Sequence, residues 1–332
     1  MPMDQVSSKP HDRLAHALSK DMMLVNKLIQ LRMASEHAPR IPEVTAHLVE
    51  AGGKRLRPML TLAAAQMCGY TGPYHIHLAA TVEFIHTATL LHDDVVDESA
   101  QRRGRPTANL LWDNQSSVLV GDYLFSRAFQ LMVETGNLQV LDILANASAT
   151  IAEGEVLQLS VTNDLATTEE IYFKVIRGKT AALFAAAMEV GAVIAQQDNK
   201  VVQALYDYGD ALGISFQLVD DLLDYVGTEA TGKSIGNDFR ERKLTLPAIM
   251  AIKLANDTEL VFWKKCIGEG KQETGDLDLA LAIMDNHGTL EETRTKALFW
   301  ANKAKAALNI MPEHQLKKML TDLSDYVVAR ID

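Results

Sequence analysis

Ala181-Ala-Leu-Phe-Ala-Ala-Ala-Met-Glu-Val-Gly-Ala-Val-Ile-Ala195 is the most membrane-like run in the chain, and its reading decides the fold. It falls short of the ~20 apolar residues that a spanning helix needs, and Glu189 stands near its middle. A helix buried in a protein core is the better reading. The same composition extends on both sides. Alanine and leucine recur throughout, and the 332 residues hold only 9 prolines and 19 glycines. No segment sustains the alternation of a half-buried strand, which favours helices. With 48% hydrophobic residues the chain can build a sizeable core.

Punctuation by Gly and Pro divides the rest. A helix over Val44–Glu50 should stop at Gly52-Gly53, Pro58 should open a helix through Cys68, and Gly69-Tyr-Thr-Gly-Pro73 reads as a turn. Further helices are expected at about 75–98, 107–113, 116–135, 138–160, 168–195, 198–225, 244–256, 258–270, 276–287, 289–308 and 312–331, with strand content near zero. Residues 1–40 read as a polar N-terminal arm with helical pieces and 41–332 as one helical domain. The fold class is all-α, a single-domain bundle.

A formal charge of −11 makes general nucleic-acid binding a poor fit, because that relies on neutralising phosphates. Cys68 and Cys266 lie far apart and read as reduced, buried thiols of a cytoplasmic protein. The first twenty residues lack an apolar signal core, so no secretion signal and no transmembrane segment are expected.

Leu90-Leu-His-Asp-Asp-Val-Val-Asp97 is the sharpest motif. Asp93 and Asp97, four apart, share one helix face, with Asp94 beside them. On its own this reads first as a solvated acidic helix end and only second as a site. The motif has a twin, however. Phe216-Gln-Leu-Val-Asp-Asp-Leu-Leu-Asp-Tyr225 repeats the spacing in Asp220, Asp221 and Asp224, 127 residues later and again among apolar residues. Carboxylates of this kind suit Mg²⁺, which takes a few oxygen ligands plus substrate phosphates and waters. Zinc would want clustered His or Cys.

Basic residues fall where an anionic substrate would need them. Gly52-Gly-Lys-Arg-Leu-Arg-Pro58 carries Lys54, Arg55 and Arg57, without the spacing of a Walker loop. Arg102 and Arg103 follow the first acidic motif, Lys179-Thr180 follows Gly178, Gln217 lies one helical turn before Asp220, and Lys233, Asp238 and Lys243 follow the second motif. Arg forks match phosphate oxygens. Taken singly each basic run is a solvated loop, and Lys179 a snorkelling surface lysine. His86, seven residues before Asp93, reads equally as a core histidine.

Together these motifs resemble the trans-polyprenyl diphosphate synthases of the long-chain kind, over roughly residues 40 to 330. The resemblance rests on Gly-Gly-Lys-Arg-x-Arg-Pro, Asp-Asp-x-x-Asp with Arg-Arg-Gly, Gly-Lys-Thr, and Phe-Gln-Leu-Val-Asp-Asp-x-x-Asp. It implies a homodimer whose antiparallel helices surround a deep central cavity. It implies elongation of an allylic diphosphate with isopentenyl diphosphate to an octaprenyl-to-decaprenyl product, for quinone side chains. Asp93, Asp97 and Asp220 would hold Mg²⁺, more than one ion per subunit. Arg102, Lys179, Lys233 and Lys243 would grip the allylic diphosphate, with Thr180 and Gln217 aiming oxygen dipoles at its carbocation. Lys54, Arg57, His86 and Arg103 would bind isopentenyl diphosphate. Arg242 stands before Lys243 where such enzymes often carry glycine.

The resemblance also points to chain-length control. Short-chain members carry aromatic residues at the positions of Ala88 and Thr89, which are small here. Phe125, Phe129 and Met132 form an i, i+4, i+7 stripe that could make a second barrier, although on pattern alone it is ordinary core packing. A shorter-chain synthase or a non-catalytic partner subunit are the competing readings. A partner subunit should have lost acids or arginines, and none is missing.

Overall fold

Leu14, Leu18, Val25 and Ile29 recur at helical spacing, and all four are buried. In the segment read as a polar arm with helical pieces, the pieces are α1 (Pro10–Ala17) and α2 (Ser19–Met33), which pack on α4 (Leu56–Met67) and α5 (Tyr74–Val96). Asp21 fastens α2 by accepting from Gln66 at 2.7 Å and pairing with His75 at 2.9 Å. The computed structural model describes residues 9–50, 53–102, 104–227 and 235–331.

Between and after these lie α3 (Arg40–Glu50), α6 (Ala108–Leu111), α7 (Asn114–Glu134), α8 (Leu138–Val161), α9 (Glu169–Ile176), α10 (Ala182–Ile194), α11 (Asn199–Val226), α12 (Asn237–Arg240), α13 (Leu246–Leu254), α14 (Asp257–Trp263), α15 (Asp276–Asn286), α16 (Thr289–Ala307) and α17 (Gln315–Val328). Contacts gather the chain into two compact units. One holds the residues up to Ser148, Leu183–Tyr206 and Met311–Met319; the other holds Ala149–Ala182, Asp207–Ile310 and the residues from Leu320 on. Among the described residues, strand is confined to a hairpin, β1 (Gln101–Arg102) antiparallel to β2 (Arg105–Pro106). The fold is all-α, as expected.

Two expected helices are interrupted. The helix expected over 168–195 is α9, a π-helical turn Arg177–Ala181, and α10. The one expected over 258–270 is α14 followed by a π-helical turn Lys264–Gly268. In a π-turn each hydrogen bond spans five residues rather than four, so one extra residue is taken in.

In the first unit α10 is a core helix, and small residues make it one. A Cβ on Gly191 would sit 2.6 Å from Ala64 Cβ and 2.8 Å from the Ala65 nitrogen, so α10 and α4 touch backbone to backbone. No helix among the described residues is long and apolar enough to cross a membrane. Glu189 is half-buried on α10, and its carboxyl is raised above the usual glutamate value, first by burial and then by Asp142. A raised carboxyl favours the fold only while protonated. That stabilisation is present at acid pH and is lost as pH rises through the raised value. Glu189→Gln should therefore raise the melting temperature at neutral pH by on the order of a degree. The gain should vanish toward the ordinary value of 4.5; an equal gain at both pH values would contradict the burial account.

In the second unit the core gathers Tyr225, Phe239, Ala248, Trp263, Cys266 and Met284. The Phe239 ring lies 6.4 Å from Phe262 and 6.3 Å from Trp263, centroid to centroid, which roots the short helix α12 and the residues around it.

Candidate active site

Both acidic motifs fall in the last turns of their helices. Asp93 and Asp94 end α5 and Asp97 is its C-cap; Asp220, Asp221 and Asp224 end α11. Neither helix has a basic residue in its last turn. A helix C-terminus carries partial negative charge, so it favours cations and opposes carboxylates. Two helices that each place three acids there call for positive charge from elsewhere.

The acids of each motif divide. Asp94 is fully buried and accepts from both Nε and Nη2 of Arg102 at 2.8 Å. The hairpin brings Arg102 there: it folds back on α5 through Ser99 N–H to the Asp94 carbonyl (3.0 Å) and the Thr107 hydroxyl to the Ser99 carbonyl (2.6 Å). Asp93 is half-buried and Asp97 exposed. In the second motif Asp221 is buried and accepts from the Tyr172 hydroxyl at 2.5 Å and from Gln217 Nε2 at 2.7 Å. Burial pushes its carboxyl up to about 7 in spite of both donors, and the charges of Asp220 and Asp224 add to the rise. Asp224 accepts from the backbone N–H groups of Asn237 (3.2 Å) and Asp238 (3.0 Å). Asp220 stays 39% exposed, with Arg330 Nη2 at 4.0 Å. Asp94, Asp221 and Asp224 thus serve protein donors; among the described residues no three His, Cys, Asp or Glu side chains gather as a preformed metal site.

At the basic loop, Arg55 takes a left-handed backbone, φ 48°, and pairs with Glu83. Arg57 points elsewhere. Its Nη1 donates to His86 Nε2 at 3.2 Å, which requires the ring's proton on Nδ1, and its guanidinium lies 4.5 Å from the Phe184 ring centroid. The structure therefore brings Arg57 and His86 together. Lys54 is exposed, and its carbonyl accepts from His11 Nε2 at 2.6 Å, a residue of α1. Arg103 and Lys233 lie outside the described residues.

Lys179 and Thr180 sit in the first π-turn. Lys179 Nζ donates to Glu155 at 2.7 Å. The Thr180 hydroxyl donates to Gln217 Oε1 at 2.7 Å, and Gln217 passes the chain on to Asp221 and Tyr172. After α11, Asp238 is held well above the usual carboxylate range, first by burial and then by the charges of Asp221 and Asp224, while Lys243 opposes the rise. Lys243 Nζ pairs with Glu241 at 2.9 Å. Arg242 takes a left-handed backbone, φ 61°, which is the conformation that favours glycine. Its guanidinium donates to the carbonyls of Ile267 (2.7 Å) and Gly268 (2.9 Å), offsetting the backbone cost.

The chain-length residues fall in different surroundings. Ala88 is fully buried; Thr89 is half-buried, its hydroxyl donating to the His86 carbonyl at 2.8 Å. Met132 is buried, the half-buried Phe125 ring lies 6.0 Å from His92, and Phe129 is 45% exposed. The stripe on α7 is not one continuous wall.

Residues 38–284 match the family described as polyprenyl synthetase. The chain belongs to the polyprenyl synthetase family. This synthetase is a prenyltransferase by that membership. It is 42% identical over 320 residues to the octaprenyl diphosphate synthase of Haemophilus influenzae, covering 96% of this chain and 97% of the relative. It is similar to the crystal structure of a decaprenyl diphosphate synthase from Rhodobacter capsulatus, at 68% identity and a TM-score of 0.95, over 97% of this chain and all of the other. A polyprenyl synthase from Caulobacter crescentus, solved with calcium and isoprenyl diphosphate, is 49% identical with a TM-score of 0.92 over the full length of both.

Sequence reasoning about this synthetase missed Tyr172, Glu155 and Arg330. Tyr172 and Arg330 lie 49 and 110 residues from the acids they meet, and nothing in their local pattern marks them. Glu155 had a signal. Gly154 beside it is a lone glycine in a helical pattern, a residue that weakens a helix and so hints at a packing reason for its place.

Proposed function

We propose that this polyprenyl synthetase is a long-chain trans-prenyltransferase that joins isopentenyl diphosphate to an allylic diphosphate, with decaprenyl diphosphate as its favoured product. The high similarity to a decaprenyl synthase and the small residues Ala88 and Thr89 support the length. The observation that carries the chemistry is the pair of acid clusters placed at helix C-termini with no basic residue in the last turn. Carboxylates at a helix end that opposes negative charge fit a hard divalent cation. By the family resemblance alone, Asp93, Asp97 and Asp220 are the acids that would hold Mg²⁺, and when bound it would offset charge on the departing diphosphate.

The chain's own groups do the rest. Arg102, Lys179, Lys233 and Lys243 bind the allylic diphosphate and oppose the charge that grows on it as the C–O bond breaks. Thr180 and Gln217, locked by their hydrogen bond and by Asp221 and Tyr172, present fixed oxygen dipoles to the allylic cation. Lys54, Arg57, His86 and Arg103 hold isopentenyl diphosphate so that its double bond meets that cation. The proton then lost passes to the departed diphosphate. The acids Asp94, Asp221 and Asp224 orient Arg102, Gln217 and the residues of α12 rather than touching substrate.

Exposed apolar side chains on α6 and α7, namely Leu110, Leu111, Leu119 and Val133, support a homodimer. The absence of a long apolar helix among the described residues accords with a cytoplasmic enzyme. Mass analysis of products from purified protein, farnesyl diphosphate, isopentenyl diphosphate and Mg²⁺ tests the reading. A decaprenyl product is expected. No elongation by folded protein would sink the enzyme reading, and arrest at farnesyl or geranylgeranyl length would sink the long-chain one.

A further inference from the structure

The π-turn Arg177–Ala181 is fastened residue by residue. Arg177 forks onto Asp210 of α11, Nε at 3.0 Å and Nη2 at 3.3 Å. Gly178 lies on the backbone of α8: a Cβ there would sit 2.9 Å from the Thr150 carbonyl oxygen. The converse holds for Gly154, whose added Cβ would sit 2.7 Å from the Lys179 nitrogen. Lys179 reaches Glu155 and Thr180 reaches Gln217. Two adjacent residues of α8 therefore act on Lys179. Gly154 admits its backbone, and Glu155 holds its ammonium.

A lysine side chain is a point charge on a flexible stem, and fixing it costs rotamer entropy. The Lys179–Glu155 pair is mostly buried at both ends, 26% and 21% exposed, so the carboxylate can meet that cost before any substrate arrives. The ammonium has three donors, so one can stay on Glu155 while the others meet phosphate oxygens.

We propose that Glu155 is a positioning residue that holds the Lys179 ammonium ready for the allylic diphosphate. This rests on the reading of Lys179 as a ligand of that diphosphate. Glu155 lies in none of the acidic or basic motifs.

The test compares Glu155→Ala, Glu155→Gln, Lys179→Ala and the double variant Glu155→Ala/Lys179→Ala in the full chain with Mg²⁺. It measures kcat and KM for allylic and isopentenyl diphosphates separately, with melting midpoints. Glu155→Ala should lower kcat/KM for the allylic substrate roughly tenfold and leave KM for isopentenyl diphosphate unchanged. Glu155→Gln keeps an acceptor for the ammonium and should restore most of that loss. In the Lys179→Ala background, removing Glu155 should cost nothing more, because residues that act through one another are not additive. An equal loss in both backgrounds, or an equal rise in both KM values, overturns the proposal. Lys179→Ala with an unchanged allylic kcat/KM overturns the reading of Lys179 itself, which is a different failure. Should Glu155→Ala not fold, Glu155→Asp keeps the charge but withdraws it by one methylene. It should then show the same selective loss, and unchanged kinetics would overturn the positioning role.

Discussion

Asp93→Ala and Asp220→Ala should each lower turnover by on the order of a hundredfold or more, since each removes a carboxylate that would carry metal-borne charge stabilisation. Both variants should stay folded. Asp93 stands beside Asp94 and Asp97 at the negative end of α5, and Asp220 beside Asp221 and Asp224 at that of α11, so each removal relieves repulsion. Added Mg²⁺ with diphosphate should raise the melting midpoint of the parent more than that of either variant, because a ligand stabilises only what it binds. The neighbour supplies the contrast. Asp94→Ala strips a fully buried partner from Arg102 and should cost roughly 2–3 kcal/mol of stability, at the low end for a broken buried pair because Arg102 is part-exposed. Near-parental turnover in both Asp93→Ala and Asp220→Ala would return the two clusters to solvated helix ends.

Ala88→Phe should shift the main product from decaprenyl toward farnesyl and geranylgeranyl lengths. Ala88 lies five residues before Asp93 on α5, about 7.5 Å along the axis at 1.5 Å per residue. A ring there would stand in the way of a tail that grows past the helix. The first condensation should persist while isopentenyl units consumed per primer fall, which separates a steric block from lost chemistry. Because Ala88 is fully buried, the ring must displace something. If packed core rather than tail fills that space, overpacking should cost about 1–3 kcal/mol and leave product length alone. A stable, active Ala88→Phe enzyme that still makes its original product would show that the tail does not pass Ala88.

The helical fold was legible because its signals are local. The run Ala181–Ala195 is too apolar for a surface and too short for a membrane, and it is buried. Gly and Pro mark most helix ends to within a few residues. Leu14, Leu18, Val25 and Ile29 carried a stripe that the polar composition of the first forty residues obscured. The paired acid motifs were legible from spacing, but the division within each was not. Adjacent residues on a helix point about 100° apart, so identical aspartates meet different partners. Which of Asp93 and Asp94 faces Arg102 depends on how the hairpin folds back. Arg242 was visible as a departure from glycine; its left-handed backbone and its hold on the 267 and 268 carbonyls are the physical reason the departure is tolerated.

The surplus residue in Arg177–Ala181 acts as a phase slip. Along an unbroken helix every side chain's direction is set by its neighbour's. The slip loosens that rule within the turn, where Arg177 meets Asp210, Lys179 meets Glu155 and Thr180 meets Gln217. Deleting a single residue between 177 and 181 would remove that surplus and restore a regular helical turn, so the gap would change the placement of Lys179 and Thr180 and not the helix around them.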